Sequence, residues 1–175
     1  MGRLTVWVRR FTKGETMPDQ HELRSELGDF NSIICFRALI TGIEDALGAR
    51  AAMIALLAAG RSRGRKLAKE LGLSGVSGNF NEISELMNSV LGVNGTRLCI
   101  VDKIESAEDS ILLVHCRETI CSAGESPGSN RELSYTMGAI QGVLEEVTGK
   151  RLRSKQIASV LRGGTHDVIQ LTPMA

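Results

Sequence analysis

Two apolar helical stretches in this chain carry small residues at every fourth position. Gly60, Gly64 and Ala68 recur in one, Gly138 and Gly142 in the other. A glycine in a helix interior costs roughly 1 kcal/mol relative to alanine, so the spacing asks for a packing reason. Small residues one turn apart make a ledge on which a second backbone approaches closely. The chain must therefore build a fold in which long helices pack tightly.

The surrounding sequence supplies the other elements. Ile33, Phe36, Ile40, Ile43 and Leu47 recur at spacings of three and four, which predicts a helix capped by Asn31 or Ser32 and stopped at Gly48. A second helix is expected from Ala51 to Leu71, and a third follows Asn79 or Asn81 with Ile83, Leu86, Met87, Val90 and Leu91 inward. Two strands, Thr96 to Ile104 and Ile111 to Arg117, flank the acidic stretch Glu105 to Asp109. A fourth helix is read from Arg131 to Thr148, and two more strands, Arg151 to Ser159 and Thr165 to Leu171, lie around Gly163-Gly164. Strands that come in adjacent pairs favour an antiparallel sheet, so the fold class is α+β: helices packed on one antiparallel sheet, in the order helices, two strands, helix, two strands. Residues 1–30 read as an N-terminal extension, with a short strand at Trp7-Val8, a turn from Gly14 to Gln20 and a helical stretch from His21 to Leu27. Residues 31–175 read as a single domain.

Composition excludes several functions. The 175 residues carry 21 Lys+Arg against 20 Asp+Glu, and a net charge of +1 makes no electrostatic case for nucleic acid. Four Phe, one Trp and one Tyr are too few for a platform that stacks bases. The longest apolar run, Ala51 to Gly60, is too short for a transmembrane helix. The N-terminus lacks a secretory pattern, which predicts a cytoplasmic protein. In a reducing compartment Cys35, Cys99, Cys116 and Cys121 are expected as thiols packed like small hydrophobic residues.

No pattern of catalytic chemistry emerges. His21, His115 and His166 lie in separate segments without ligand spacing, and a strand points His115 and Cys116 to opposite faces. Gly124-Glu125-Ser126-Pro127-Gly128 has the outline of a nucleophile elbow, but proline after the serine removes an amide of the oxyanion hole. Gly72 to Gly78 lacks the Lys-Ser/Thr of a phosphate loop. Two basic clusters, Arg61 to Lys69 and Lys150 to Lys155, read as solvated faces or as contacts for an anionic partner.

Several ordered features nonetheless form a pattern. They are Leu47-Gly48, Ala59-Gly60-Arg61, Gly64, Leu71-Gly72, Leu91-Gly92, then Gly138-Ala139-Ile140-Gln141-Gly142-Val143-Leu144, Gly149-Lys150, Gln156 and Gly163. Over residues 31–171 the chain resembles the 4-vinyl-reductase-like, or hydrocarbon-binding, domains. That resemblance implies the α+β fold shared with haem nitric-oxide sensors and Bet3-like subunits of vesicle-tethering complexes. It implies a homodimer built through helices and an apolar small molecule held between helices and sheet. Phenol-sensing members hold zinc through a Cys before the first helix glycine, a Glu beyond it and two further Cys. Counted from Gly138, those positions here are Leu133, Gln156, Ser159 and Asp167. The Tyr-x-Ser-x-Arg signature of the haem sensors is replaced by Tyr135-Thr136-Met137-Gly138-Ala139. Neither zinc nor a histidine-ligated haem is expected at the family sites, and the cofactor is unknown.

The resulting expectation is a stand-alone, non-catalytic binding protein for a hydrophobic or tetrapyrrole-like molecule, supporting chlorophyll metabolism or photosystem assembly if the source is a phototroph. Met53, Leu57, Met87, Leu112, Cys121, Tyr135 and Met137 are the candidate pocket residues. Two alternatives stand beside it. One is a ligand-free dimeric scaffold for a protein partner, with Gly60 and Gly64 at the dimer interface. The other is a vinyl-group reductase, for which no Gly-x-Gly-x-x-Gly follows a strand.

Overall fold

The computed structural model describes residue 26 and residues 32–75 and 79–174. The strand expected at Trp7-Val8, the turn from Gly14 to Gln20, the cap at Asn31 and, Glu26 apart, the helix from His21 to Leu27 fall outside the described residues. Among the described residues four α-helices accompany one four-stranded antiparallel sheet, as the adjacent strand pairs predict. The helices are α1 (Ile33–Leu47), α2 (Ala49–Glu70), α3 (Phe80–Leu91) and α4 (Tyr135–Thr148). The strands are β1 (Ile100–Ser106), β2 (Leu112–Arg117), β3 (Leu152–Ala158) and β4 (Asp167–Pro173), in the order β1-β2-β4-β3. No helix among the described residues is long and apolar enough to cross a membrane.

The two small-residue ledges pack on each other. A Cβ at Gly60 would run into the carbonyl oxygen of Tyr135, and one at Gly64 into that of Ala139. Reciprocally, a Cβ at Gly138 would strike the carbonyl of Leu57 and one at Gly142 that of Arg61. Four glycines thus interlock two helices backbone to backbone within one chain. This corrects the scaffold reading, in which Gly60 and Gly64 lined a dimer interface. Their Cα atoms are already covered by α4, and both residues are buried.

α4 is buried on nearly every face, between α2 and the sheet. Alternation along β2 places Leu112, Val114 and Cys116 in the core and Leu113, His115 and Arg117 on the other face. Ile169 and Leu171 from β4 complete the inner face. α3 holds the edge strand β1: Asn88 Oδ1 accepts from the Val101 amide at 2.7 Å, and Ser84 Oγ donates to the Val101 carbonyl at 3.0 Å. The ladder shifts register just beyond, between Val101 and Lys103.

Two boundaries move by four residues from the sequence reading, each because a backbone donor is used elsewhere. β1 begins at Ile100, not Thr96. The amides of Thr96 and Leu98 instead close the last carbonyls of α3, bonding Val90 and Leu91 at 2.7 Å each. α4 begins at Tyr135, not Arg131, since the Leu133 amide bonds Gln156 Oε1 at 2.8 Å and the Arg131 side chain pairs with Glu44 and Glu125. β4 begins at Asp167, not Thr165, and runs on to Pro173. The helix caps are legible: Ser32 occupies the N-cap of α1, and Asn79 Oδ1 caps α3 by accepting from the Asn81 amide at 3.0 Å.

Gly60→Leu or Gly138→Leu is expected to lower stability by at least about 3 kcal/mol, because the rigid backbone opposite cannot move aside. Gly42→Ala, on an exposed turn of α1 with open space at its Cβ, is expected to raise stability by about 0.5–1 kcal/mol. Urea unfolding of the three variants checks both directions. Equal effects at Gly42 and Gly60 would contradict the interlock.

Candidate functional site

Three places are polar or open: an ion cluster between α2 and α4, a buried aspartate at the start of β4, and a cavity at the far end of the sheet.

Glu145 faces out of α4 toward α2 and is almost wholly buried. Arg61 binds it in bidentate fashion, Nε to Oε2 at 2.7 Å and Nη2 to Oε1 at 2.6 Å. Arg65 adds Nη2 to Oε2 at 2.7 Å, and the Leu152 amide donates to Oε1 at 2.9 Å. Gln141, whose Nε2 reaches the Leu152 carbonyl at 2.7 Å, accepts from Ser154 Oγ at 2.7 Å. Burial alone would push the Glu145 pKa up. Only together do the Arg61 hydrogen bonds, the Leu152 amide, Arg65 and Gln141 outweigh it and bring it down to about 2. Much of the first basic cluster therefore has its anionic partners inside the chain, with Arg63 on Glu70 at 3.1 Å as well. The arrangement ties α2, α4 and the start of β3 together and leaves Glu145 no free lone pair for chemistry.

Asp167 is fully buried. Its Oδ2 accepts from Thr119 Oγ1 at 2.6 Å and Ser122 Oγ at 2.8 Å, and its Oδ1 from Gln156 Nε2 at 3.1 Å and the Val160 amide at 3.2 Å. Gln156 in turn accepts from the Leu133 amide, and Ser159 Oγ accepts from the Leu161 amide at 3.2 Å. Leu133, Gln156 and Asp167, three positions at which the resembled phenol sensors carry zinc ligands, are thus linked in one network. Ser159, the fourth, heads the short 3-10 turn Val160–Arg162 beside it. Zinc does not fit these residues. One is an alkyl side chain, one an amide, one a hydroxyl, and the carboxylate already takes four donors. No group of three His, Cys, Asp or Glu among the described residues could hold a metal ion. His115 and His166 do meet on the outer face of the sheet, ring centroids 5.8 Å apart, with His166 Nε2 3.2 Å from Asp102 Oδ2. Burial, then His166 and Lys103, hold the His115 pKa below its ordinary value.

The cavity has a volume of about 410 Å³ and is open on one side. Leu112, Val147 and Leu152 form its floor where the ends of β2, α4 and β3 converge. Phe80, from the first turn of α3, and Pro173 form walls. Its rim is polar: Ser106, Ser110, Thr148 and Lys150. The hairpin between β1 and β2 places Ser110 there through consecutive left-handed residues, Asp109 (φ 56°) and Ser110 (φ 60°). Gly75, whose amide bonds the Glu146 carbonyl at 2.9 Å, brings the α2–α3 connection to the rim.

Of the seven candidate pocket residues, Leu112 borders this cavity. Met87, Cys121 and Met137 lie in the buried core, and Met53, Leu57 and Tyr135 pack against it half-buried. Tyr135 meets Phe36 edge to face at 5.1 Å between centroids, and burial raises its pKa. Cys121 is enclosed between Ser134 Oγ at 3.7 Å and Thr136 Oγ1 at 3.8 Å, where a solvent-borne reagent does not reach it. The sequence did not mark Phe80, Ser106, Ser110, Val147, Leu152 or Pro173 as pocket residues, and it offered Lys150 only within a basic cluster read as a solvated face or a contact for an anionic partner. They come from separate segments, and only the charge of Lys150 sets any of them apart in sequence.

No family model matches the chain, and no curated protein does. Solved structures match its fold. The phenol-responsive sensory domain of the transcription activator PoxR, with phenol, is 14% identical and has a TM-score of 0.62 over 83% of this chain and 76% of that one. A trafficking protein particle complex subunit 3 from Naegleria fowleri, covalently bound to palmitic acid, is 18% identical and has a TM-score of 0.56 over 82% of this chain and 93% of that one. At such identities the likeness establishes the fold.

Glu145 contributes stability in full above its ordinary pKa of 4.5, and the contribution disappears as pH falls toward about 2. Glu145→Gln is expected to cost about 2–3 kcal/mol near neutral pH, somewhat less than a wholly buried pair because both arginines reach solvent. It should also flatten the acid limb of stability against pH. Denaturant midpoints measured across that range check both effects; an unchanged acid limb would deny Glu145 this role.

Proposed function

We propose that this chain is a non-catalytic binding protein for a small hydrophobic molecule and works as a homodimer. The observation that carries the reading is the cavity of about 410 Å³ with a core-facing apolar floor, in a fold shared with a phenol-binding sensory domain and a palmitate-bearing subunit. Its volume lies at the lower end of the range for small-molecule sites, about 300–1,000 Å³. That size favours a compact ligand. The finer reading, a tetrapyrrole held for chlorophyll metabolism or photosystem assembly, calls for a much larger space or for the dimer to complete the site. A vinyl-group reductase has less support, because among the described residues lining the cavity Lys150 is the one titratable side chain, with no carboxylate, imidazole or thiol beside it.

The dimer reading has its own support. Ile34 (76% exposed), Leu39 (54%) and Ile54 (65%) stand out from α1 and α2. Asp45 is the only charged residue among the exposed positions of α1, and the exposed positions of α2 from Ala51 to Ser62 are uncharged. An apolar helical surface of this extent marks an interaction site, and a second copy of the same surface matches its chemistry.

Native mass spectrometry with a visible spectrum of the same sample tests the function. The expected result is a dimer that gains the mass of a small apolar compound and shows no visible absorbance. Bound colour would turn the reading toward a tetrapyrrole. An apo protein that takes up no apolar compound when challenged would leave the scaffold reading in its place. Sedimentation velocity tests the interface. Leu39→Arg or Ile54→Glu should convert a dimer to a folded monomer, whereas a wild-type monomer would remove the dimer from the proposal.

A further inference from the structure

The rim of the cavity assigns a chemical class to its ligand. This step rests on the small-molecule reading above and deepens it. Among the described residues that line the cavity, Lys150 is the only charged one, and no carboxylate borders it. The Lys150 side chain is exposed and makes no ion pair with any described residue; its backbone amide alone is engaged, donating to Thr148 Oγ1 at 3.3 Å. Arg151, Arg153 and Lys155, next in sequence, likewise make no ion pair with a described residue but do not line the cavity; the cations of the first basic cluster behave differently. Lys69 reaches Glu146, and Arg61, Arg63 and Arg65 all have carboxylate partners. Ser106 and Ser110 add two hydroxyls that donate to no described residue, whereas Thr148 Oγ1 is already committed to the Leu144 carbonyl at 2.7 Å. An ammonium and two hydroxyls, set above a floor of Leu112, Val147 and Leu152, offer donors at one end and hydrocarbon at the other.

We infer that the ligand is a monocarboxylate on a compact apolar body, its carboxylate at Lys150 with Ser106 and Ser110 and its body on the floor made by Leu112, Val147 and Leu152. A neutral phenol or alcohol would fill the floor equally well but would leave the ammonium unpaired. A dianion would bring a second charge that no other cation on the rim meets. The volume suits a body of roughly eight to ten carbons.

Titration calorimetry of the full chain with sodium octanoate and with 1-octanol, near neutral pH and low salt, tests the assignment. Octanoate is expected to bind about tenfold more tightly than the alcohol, the scale of one charge-assisted hydrogen-bonded contact at a partly open site. Lys150→Gln should bring octanoate down to the level of octanol and leave octanol unchanged. Added salt should narrow the wild-type difference in the same direction. Equal binding of the two probes to the wild type, or octanoate binding that survives Lys150→Gln, would overturn the carboxylate assignment while leaving a hydrophobic-ligand protein intact. Failure of both probes to bind would overturn the assignment together with the reading beneath it. Lys150 is exposed and outside the core, so its variant is expected to fold, which a circular dichroism melt verifies.

Discussion

The approach of α2 to α4 is the contact on which the rest of this structure depends. Four glycines, Gly60 and Gly64 against Gly138 and Gly142, remove every Cβ that would hold the helices apart. That closeness brings the α2 arginines within reach of Glu145 on the facing helix. Glu145 in turn takes the Leu152 amide and fixes where β3 leaves the end of α4. With α4 wedged between α2 and the sheet, its C-terminal turn meets the ends of β2 and β3, and the cavity opens at that meeting point. A chain of consequence therefore runs from small residues in the sequence to a concave surface about which the glycines themselves say nothing.

Periodicity made most of the elements legible because, α4 apart, they bury one face. The inward face of α1 can be read from Ile40 and its neighbours, and the alternation of β2 from Leu112, Val114 and Cys116. The boundaries at Thr96 and Arg131 were not legible. The donors there serve Val90, Leu91 and Gln156, which are partners set by tertiary contact rather than by neighbours in sequence. The glycine ledges announced a close contact without naming the partner, since the same spacing serves a second copy as readily as a second helix of one chain. Pocket residues were the least legible. Met87 and Met137 have the chemistry expected of a pocket and lie in the core, because a core and an apolar pocket draw on the same side chains. Convergence, not residue type, separates Leu112 from them.

The neighbourhood of Asp167 shows how one place in a fold changes its chemistry. The sequence resemblance to phenol sensors leads one to expect thiolates and a glutamate as zinc ligands at these positions in those proteins. Here a fully buried carboxylate takes donors from Thr119, Ser122, Gln156 and the Val160 amide. This network cross-links the entry to α4, the end of β3 and the start of β4. A network of neutral donors around one anion does so without thiolates and without a metal, and it fixes the segment between Leu133 and Tyr135 from which α4 departs. One fold hosts many site chemistries, and function has to be argued from the site.

α2 presents two surfaces of different chemistry. Its glycine side is used up within the chain, where nothing larger than a hydrogen fits between it and α4. Its outer side, from Ala51 through Ile54 and Ala55 to Ala58, has no charge and no described partner. A helix that met only water there would be expected to carry lysine or glutamate at such positions, as the later turns do at Lys66, Lys69 and Glu70. The charge thus changes along one helix where its surroundings change. The charged turns lie beside the Glu145 and Glu146 side of α4, and the uncharged turns continue the exposed apolar surface of α1. The cavity and the exposed apolar surface consequently lie on different parts of the molecule, the first where α4 ends and the second along α2 beyond the exposed Arg50. The Arg61–Glu145 contact and the glycine seam are the rigid connection between them.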